Sequence, residues 1–532
     1  MQSVAELPDD VPVLVAGAGP VGLAAAVELA RRGIRCLVVE PRLTVSHARP
    51  RCKTVSIRSM EHLRRWGIAG RLRKLAPLPV SWSQDIVFCT SLAGRELSRF
   101  HGVLGLAPEG DRFPELGQQV PQYVLEELLR ETAGDLAACT LATGMRVTAV
   151  TQDDANARVT VTDQAGGQAV VEAQYVLGCD GPHSAVRDAI GSAYTGEHAL
   201  RPNFGMVFRA PDLWRQVRHG PAVQYWIVNG TAPALMGPID RSQTWWIIAF
   251  GVGKEAGEHA AGELIEAAAG LPVQATVLST DPWTARMQIV DRMRDRRVFL
   301  AGDAAHLNPP FGGHGLNTGL GDAVDVGWKL AAVLDGWGGP ALLDSYETER
   351  RPIQERVIAE ASANMKVLST ELLTADLDAE GPAGELARRI AGERIQRTKK
   401  AEFHALDLVL GLGIGSSPVI AADQGAPAVP DARPGARLPH CWLGAGRSLY
   451  DELGAGLTLL VLSGAAQGPI ERAARTRAVP LQVVPLAGRG LRDRYGADLV
   501  LVRPDQHIAW RGDRAPRDPL QLLDHIRGCA KE

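Results

Sequence analysis

The feature that most constrains the fold lies near the N-terminus. Val11-Pro12-Val13-Leu14-Val15-Ala16 is a β-rich apolar run of strand length, and Gly17-x-Gly19-x-x-Gly22 follows at once. Leu23 to Arg32 then reads as an Ala-rich helix ending at Gly33, and Arg35-Cys36-Leu37-Val38-Val39-Glu40 as a second strand. A glycine triplet alone is a weak signal. A strand before it, a helix after it and an acid 18 residues past its last glycine complete a βαβ dinucleotide fingerprint. Gly17 makes the tight turn, Gly19 admits a pyrophosphate against main chain, Gly22 lets the helix pack closely, and Glu40 accepts from ribose hydroxyls. Among the cations just beyond Glu40, Arg51 is the expected pyrophosphate partner.

Two later strands end in an acid as well. Tyr175-Val176-Leu177-Gly178 runs into Cys179-Asp180-Gly181, the edge of an open α/β sheet where ligands bind. Val298-Phe299-Leu300 runs into Ala301-Gly302-Asp303, followed by Pro309-Pro310-Phe311-Gly312-Gly313-His314-Gly315-Leu316-Asn317-Thr318. The proline pair and the glycines break regular structure there and let main chain approach a ligand. Helical apolar spacing resumes from Gly319 to Val333, so the loop presents N–H groups near a helix N-terminus, a setting suited to negative charge. Gln122, in the first turn of a helix beginning near Pro121, is placed to point at the same ligand. Val147-Val150, Val159-Thr162 and Ala169-Tyr175 read as a β-meander inserted before the strand at 175.

From Asn203 to Phe250 short strand-like runs lie between Gly, Pro and Asp turns, the pattern of an antiparallel sheet in a second domain. Four of the 11 tryptophans fall in it, and Tyr225, Trp226 and Trp246 are candidates to line a pocket for a flat apolar molecule. Further helices are expected over Pro352 to Leu373 and Gly384 to Val409, the second with a basic, solvated face. Gly411 to Arg437 is rich in Gly, Pro, Ser and Ala and marks a boundary. Strand and helix signals then alternate to the C-terminus.

Totals exclude several classes. The net charge of −3 gives no basic patch for nucleic acid or an anionic membrane. No apolar run approaches the roughly 20 residues of a membrane span, and the acidic start lacks a signal peptide's basic region. The seven cysteines are scattered and never spaced as Cys-x-x-Cys. That argues against a disulfide framework and a cysteine metal site, and fits a reducing cytoplasm.

Four separated segments together resemble one family: Gly17-Ala18-Gly19-Pro20-Val21-Gly22, Cys179-Asp180-Gly181 with Ser184, Val186 and Arg187, Gly302-Asp303-Ala304-Ala305-His306, and Gly315-Leu316-Asn317-Thr318-Gly319. Their order and spacing are similar to those of the FAD-dependent aromatic hydroxylases of the p-hydroxybenzoate and phenol hydroxylase class. The Arg58 to Gly67 helix and Leu343-Asp344-Ser345-Tyr346-Glu347-Thr348-Glu349-Arg350-Arg351-Pro352 resemble the branch with chlorophenol monooxygenases and natural-product tailoring hydroxylases. The C-terminal hundred residues, including Arg503-Pro504-Asp505, resemble the thioredoxin-like domain of phenol-hydroxylase relatives, without its Cys-x-x-Cys.

The resemblance implies an α/β fold: a Rossmann-type (GR2) FAD-binding domain, an inserted antiparallel-sheet substrate domain and a C-terminal thioredoxin-like domain. The expected ranges are 1–185 and 285–360 for the FAD-binding domain, with 75–115 partly in the substrate domain. The substrate domain is 186–284, a helical connection 361–415 and the C-terminal domain 416–532. It implies FAD as cofactor, NADPH or NADH as reductant, and O2 with a small aromatic as substrates, reacting through a flavin C4a-hydroperoxide. It assigns Gly17, Gly19, Pro20, Val21, Gly22, Glu40, Arg51, Gln122, Asp180, Gly181, Gly302, Asp303, Pro310, Gly313, Gly315, Leu316 and Asn317 to the cofactor, with Asp303 on the ribityl chain. It places Pro309, Pro310 and Phe311 where cofactor and substrate meet. One departure is His314, where relatives often carry Gln between two glycines. No general base is singled out, and a homo-oligomer is an open expectation. Baeyer–Villiger insertion, epoxidation, or ligand binding without turnover are the alternative outcomes.

Overall fold

The computed structural model describes residues 3–48, 54–198, 201–309, 311–365, 372–374, 376–423, 429–444, 446–487 and 490–529. The opening fingerprint forms strand β1 (Asp10–Ala16), helix α1 (Pro20–Ala30) and strand β2 (Cys36–Glu40). The helix starts three residues earlier than helical spacing suggested, because Pro20 supplies a preset φ and needs no N–H partner at the first position.

β1 is the middle of a parallel sheet. It pairs with β2 on one side and with the strand Gln168–Gly178 on the other, which pairs in turn with Val298–Leu300. The register sets Val39 beside Ala16, Ala16 beside Gly178, and Gly178 beside Leu300. All four strands therefore end in one row, and Glu40, Gly17, Asp180 and Asp303 follow from that row. α1 and the helix His314–Leu334 pack together on one face of this sheet, burying nearly every apolar residue of both.

The meander differs from the reading above in one respect. Its third strand and the strand expected at 175 are one continuous element, Gln168–Gly178. Its first half pairs antiparallel with Ala157–Asp163 and its second half parallel with β1. The only break that the sequence offered was Tyr175, whose β-propensity favours continuing. The helix expected at Pro352 in fact runs Pro340–Met365 with Pro352 inside it.

The second domain is a seven-stranded sheet in the order Thr276–Thr284, Pro202–Arg209, Thr244–Phe250, Ala234–Pro238, Gln224–Ile227, Ile86–Cys89, Glu96–Phe100. All neighbours are antiparallel except Gln224–Ile227 with Ile86–Cys89. One face packs on the helix Ala261–Ala269 through Phe204, Phe208, Tyr225, Trp245 and Ile247. The other carries Phe88, Val207, Trp226, Leu235 and Trp246 and meets the helix Gly381–Phe403 through Ala391, Ile395 and Phe403.

In the C-terminal domain the strands order Leu481–Pro485, Leu457–Val461, Leu499–Val502, Ile508–Gly512, with only the first pair parallel and joined through the helix Gly468–Thr476. Among the described residues no helix is long and apolar enough to cross a membrane.

Candidate active site

A cavity of about 1500 Å³ runs from the row of strand ends to the aromatic face of the seven-stranded sheet. Gly17, Gly19, Pro20, Val21, Glu40, Gln122, Asp180, Gly181, Asp303, Pro309, Gly313, Gly315 and Leu316 line its sheet-end half, and Trp226 and Trp246 its far wall. Residues separated by up to three hundred positions are thus gathered around one space.

The three fingerprint glycines have separate jobs. A Cβ on Gly17, whose φ is +97°, would come 2.5 Å from the Cys179 carbonyl oxygen, and one on Gly22 would come 2.0 Å from the Gly17 oxygen. Both make room for neighbouring backbone. A Cβ on Gly19 would meet nothing within 4 Å, and neither would one on Gly181. Those two glycines border open space, which is where a phosphate chain at the N-terminus of α1 fits.

Glu40 is nearly buried at the end of β2. One carboxylate oxygen accepts from Ala18 N–H at 2.8 Å, and the other from Arg42 Nε at 2.6 Å. These bonds fix the turn and still leave lone pairs free, since a carboxylate accepts at about four positions. Burial raises the Asp180 carboxyl, while Ser184 Oγ and Val186 N–H donate to it at 2.5 and 3.2 Å and oppose the rise.

The glycine-rich loop is shorter than expected. Phe311–Gly313 is a single tight turn in which Gly312 and Gly313 take φ of +77° and +68°, and the helix begins directly at His314. Left-handed backbone at two successive glycines turns the chain in place of a longer irregular loop. Gly319 lies inside the helix because a Cβ there would press on Val21 at 2.7 Å and on Gly302 Cα at 3.2 Å.

Several expected site residues stand behind the wall of the cavity. Gly22 and Gly302 provide close packing, and a Cβ on Gly302 would meet Val21 at 2.9 Å. The Asn317 side chain is fully used by protein. Its oxygen accepts from Ser56 N–H (2.8 Å) and Ser59 Oγ (2.7 Å), and its nitrogen donates to the Thr54 and Gly313 carbonyls. It ties the loop to the strand before the helix Ile57–Arg65. Tyr225 is a correction. Alternation along Gln224–Ile227 sends it to the face opposite Trp226, where its hydroxyl donates to the Gly220 carbonyl and accepts from Ala222 N–H. It is a core residue. Arg51 and Pro310 lie outside the described residues, as does the side chain of Phe311.

One cluster had no role in the sequence reading. Asp322, fully buried on the helix His314–Leu334, receives Arg350 Nε at 2.8 Å, Gln354 Nε2 at 2.9 Å, His306 Nε2 at 2.7 Å and Gly302 N–H at 3.1 Å. Burial pushes its carboxyl up, but Arg350 and His306 more than reverse that and hold it at about 2. The Asp therefore stays ionised and clamps both ends of the loop that carries Asp303. A signal was present: Asp322, Asp325 and Lys329 fall at i, i+3 and i+7 on a face otherwise apolar, where charges must be paired.

Asn308 also lines the cavity, and both its amide atoms are buried without a protein partner, polar groups aimed at a ligand. Two helix N-termini, an open glycine slot and an unmatched amide together fit a long cofactor with an anionic middle and a polar ring edge.

Comparison with known proteins agrees with this geometry. A family described as "FAD binding domain" matches residues 10–361, and one described as "Aromatic-ring hydroxylase, C-terminal" matches 431–529. The chain is 31% identical to 2,4-dichlorophenol 6-monooxygenase of Delftia acidovorans, over 94% of this chain and 95% of that one. It is 32% identical to aklavinone 12-hydroxylase RdmE of Streptomyces purpurascens, over 97% and 98%. Among solved structures, the rebeccamycin biosynthetic enzyme RebC with reduced flavin superposes with a TM-score of 0.90 at 34% identity, covering 99% of this chain and 100% of that one. A ternary complex of aklavinone-11 hydroxylase with FAD and aklavinone gives 0.81 at 28%, covering 98% and 100%. The chain belongs to the FAD-dependent aromatic-ring hydroxylases, and FAD is its cofactor.

Proposed function

We propose that this enzyme uses NAD(P)H and O2 to hydroxylate a flat phenolic or polycyclic aromatic ring. The observation that carries the reading is the continuity of the cavity from Gly19 to Trp226 and Trp246, which leaves room for a second, aromatic molecule beyond the cofactor. The relatives' printed substrates, a chlorinated phenol and a polycyclic aklavinone, support both size classes.

FAD would lie with its pyrophosphate over Gly19 and α1, its adenosine ribose at Glu40, and its ribityl chain at Asp303. The main chain of Gly313 to Leu316 would meet the polar edge of its ring. Bound FAD supplies reduction by NAD(P)H and activation of O2, chemistry no side chain here provides. The protein positions and encloses. Val207, Leu235, Trp226 and Trp246 give an apolar wall that would orient an aromatic ring, and Pro309 lines the same space.

The test is reconstitution with FAD followed by a screen of phenols, hydroxypyridines and aromatic polyketides. Mass spectrometry should show a product heavier by one oxygen atom, labelled from 18O2. NAD(P)H oxidation with no such product in any class would overturn the reading.

A further inference from the structure

The aromatic side of the cavity carries a carboxylate close to the glycine turn. Glu402, nearly buried on the last turn of the helix Gly381–Phe403, lines the cavity beside Phe403 and Leu104. Its carboxylate accepts from Lys399 Nζ at 2.8 Å and from the main-chain N–H of Gly312 in the glycine turn. Lys399 is itself fully buried. Its ammonium also donates to the Asn364 carbonyl at 3.0 Å and lies 4.4 Å from the ring centre of Trp226. Phe403 in turn sits 6.2 Å from Trp226 and 5.1 Å from Phe100. Glu402 therefore stands between the turn that faces the cofactor ring and the aromatic wall that faces the substrate.

A buried ion pair is a poor device for stability alone, because well-packed apolar side chains of the same volume usually do as well or better. Two donors, Lys399 and Gly312, leave the carboxylate with acceptor capacity beside Phe403, Leu104 and Trp226. Burial raises the Glu402 carboxyl while Lys399 opposes the rise.

We propose that Glu402, held by Lys399, is a substrate-binding acceptor that takes a ring hydroxyl or ring N–H entering between Gly312 and Phe403. The enzyme would then select flat aromatics that carry a hydrogen-bond donor on that edge and reject analogues that leave the carboxylate unmatched. Lys399 is a positioning residue that holds the acceptor in place through their 2.8 Å contact. The proposal rests on the aromatic-substrate reading above and narrows it.

The experiment compares binding of β-naphthol, its methyl ether and naphthalene to the FAD-loaded enzyme near neutral pH, read by perturbation of the flavin spectrum. Wild type should bind β-naphthol at least tenfold more tightly than the methyl ether. The double variant Lys399→Met/Glu402→Leu, which keeps volume and removes both charges together, should bind the two within twofold of each other. Glu402→Gln, which retains an amide acceptor, should fall between them. A wild type without preference for the hydroxyl, or a double variant that keeps it, would overturn the assignment. An enzyme that shows the preference and its loss but never transfers oxygen would overturn the hydroxylase reading while supporting the acceptor. Hydroxylated product from an enzyme lacking the preference would do the reverse.

Discussion

Arg503, in the C-terminal domain, lays its guanidinium along Glu349 of the FAD-binding domain, with its two terminal nitrogens 2.8 Å from the two carboxylate oxygens. Both side chains are fully buried, and the same guanidinium also reaches Asp325 (3.1 Å) and Asp505 (2.6 Å) and covers the face of Trp328. Lys329 donates to Glu349 at 2.7 Å from the other side. The fork of Arg matches a carboxylate in a way that Lys does not, so the contact fixes orientation as well as distance. The C-terminal domain thus docks through charge sequestered from water, next to the helix that holds the cofactor loop.

Arg503→Met leaves Glu349 and Asp505 buried with less compensation. Unfolding free energy should fall by about 3–5 kcal/mol, the cost of breaking a buried pair from one side. Urea unfolding followed by tryptophan fluorescence measures it, and the C-terminal domain should melt in a separate, earlier step. A loss under about 1 kcal/mol, the scale of an exposed pair, would show that the contact is not closed to water.

Gly19 and Gly22 should separate cofactor binding from folding. The space beside Gly19 is open to the cavity, so Gly19→Ala should leave the melting of the apoprotein nearly unchanged while weakening FAD affinity at least tenfold. Gly22→Ala drives a methyl into the Gly17 carbonyl, and backbone must move. Its apoprotein should be destabilised by about 1–3 kcal/mol, the range for an overpacked site. Differential scanning calorimetry without FAD and a fluorescence titration with it distinguish the two; equal effects of both variants on the apoprotein would contradict the assignment.

Much of this was legible in the chain. The ends of β1, of β2 and of the strands at 178 and 300 are written locally, as apolar runs terminated by Gly or an acid, and parallel pairing lines up what the sequence scatters. The FAD-dependent hydroxylase family was legible from the same segments. The phase of the sheet facing the substrate was not. Thr244–Phe250 and Gln224–Ile227 are apolar on both faces, one covered by the helix Ala261–Ala269 and one facing the cavity, so no alternation marks which side is inward. Tyr225 and Trp226 look equivalent in sequence and are opposite in space. The start of the helix at His314 was hidden for another reason. Glycines read as helix breakers, and only the packing of Gly319 against Val21, Gly321 against Arg350 and Gly327 against Glu28 explains their presence inside one. Glu402 and Lys399 were concealed in a basic stretch that reads as a solvated face, because burial there depends on a sheet formed more than a hundred residues earlier.

His314 makes stability sensitive to mild acid. Burial alone brings its imidazole down to about 4 from 6.5, and its Nε2 has no partner. Above 6.5 neither state is protonated at this site and nothing is lost. Between 6.5 and 4 the unfolded chain gains a proton that the folded one does not, so stability drops as pH falls through that window. His314→Gln removes the titrating group. Relative to wild type, its stability should rise by about 2 kcal/mol on going from neutral pH to about pH 5. Urea midpoints at a series of pH values report this, and curves that stay parallel would rule it out.

Trp246 and Tyr225 test which face of the sheet meets the substrate. Trp246 borders the cavity between Val207 and Leu235, and its ring offers flat apolar area to whatever lies there. Trp246→Leu should raise KM for an accepted aromatic roughly tenfold, about the 1.4 kcal/mol expected from losing one aromatic contact, with a smaller change in kcat. Tyr225→Phe should leave KM within twofold, because the hydroxyl that it removes bonds only to Gly220 and Ala222 on the far side. Its effect belongs to stability, at about 1–3 kcal/mol for leaving the Gly220 carbonyl and the Ala222 N–H without their partner. The two variants should therefore move different observables. A Tyr225→Phe enzyme with altered KM and unaltered melting would mean that substrate lies on the helix-covered face, which the packing of Tyr225 against Trp245 and Met236 leaves no room for.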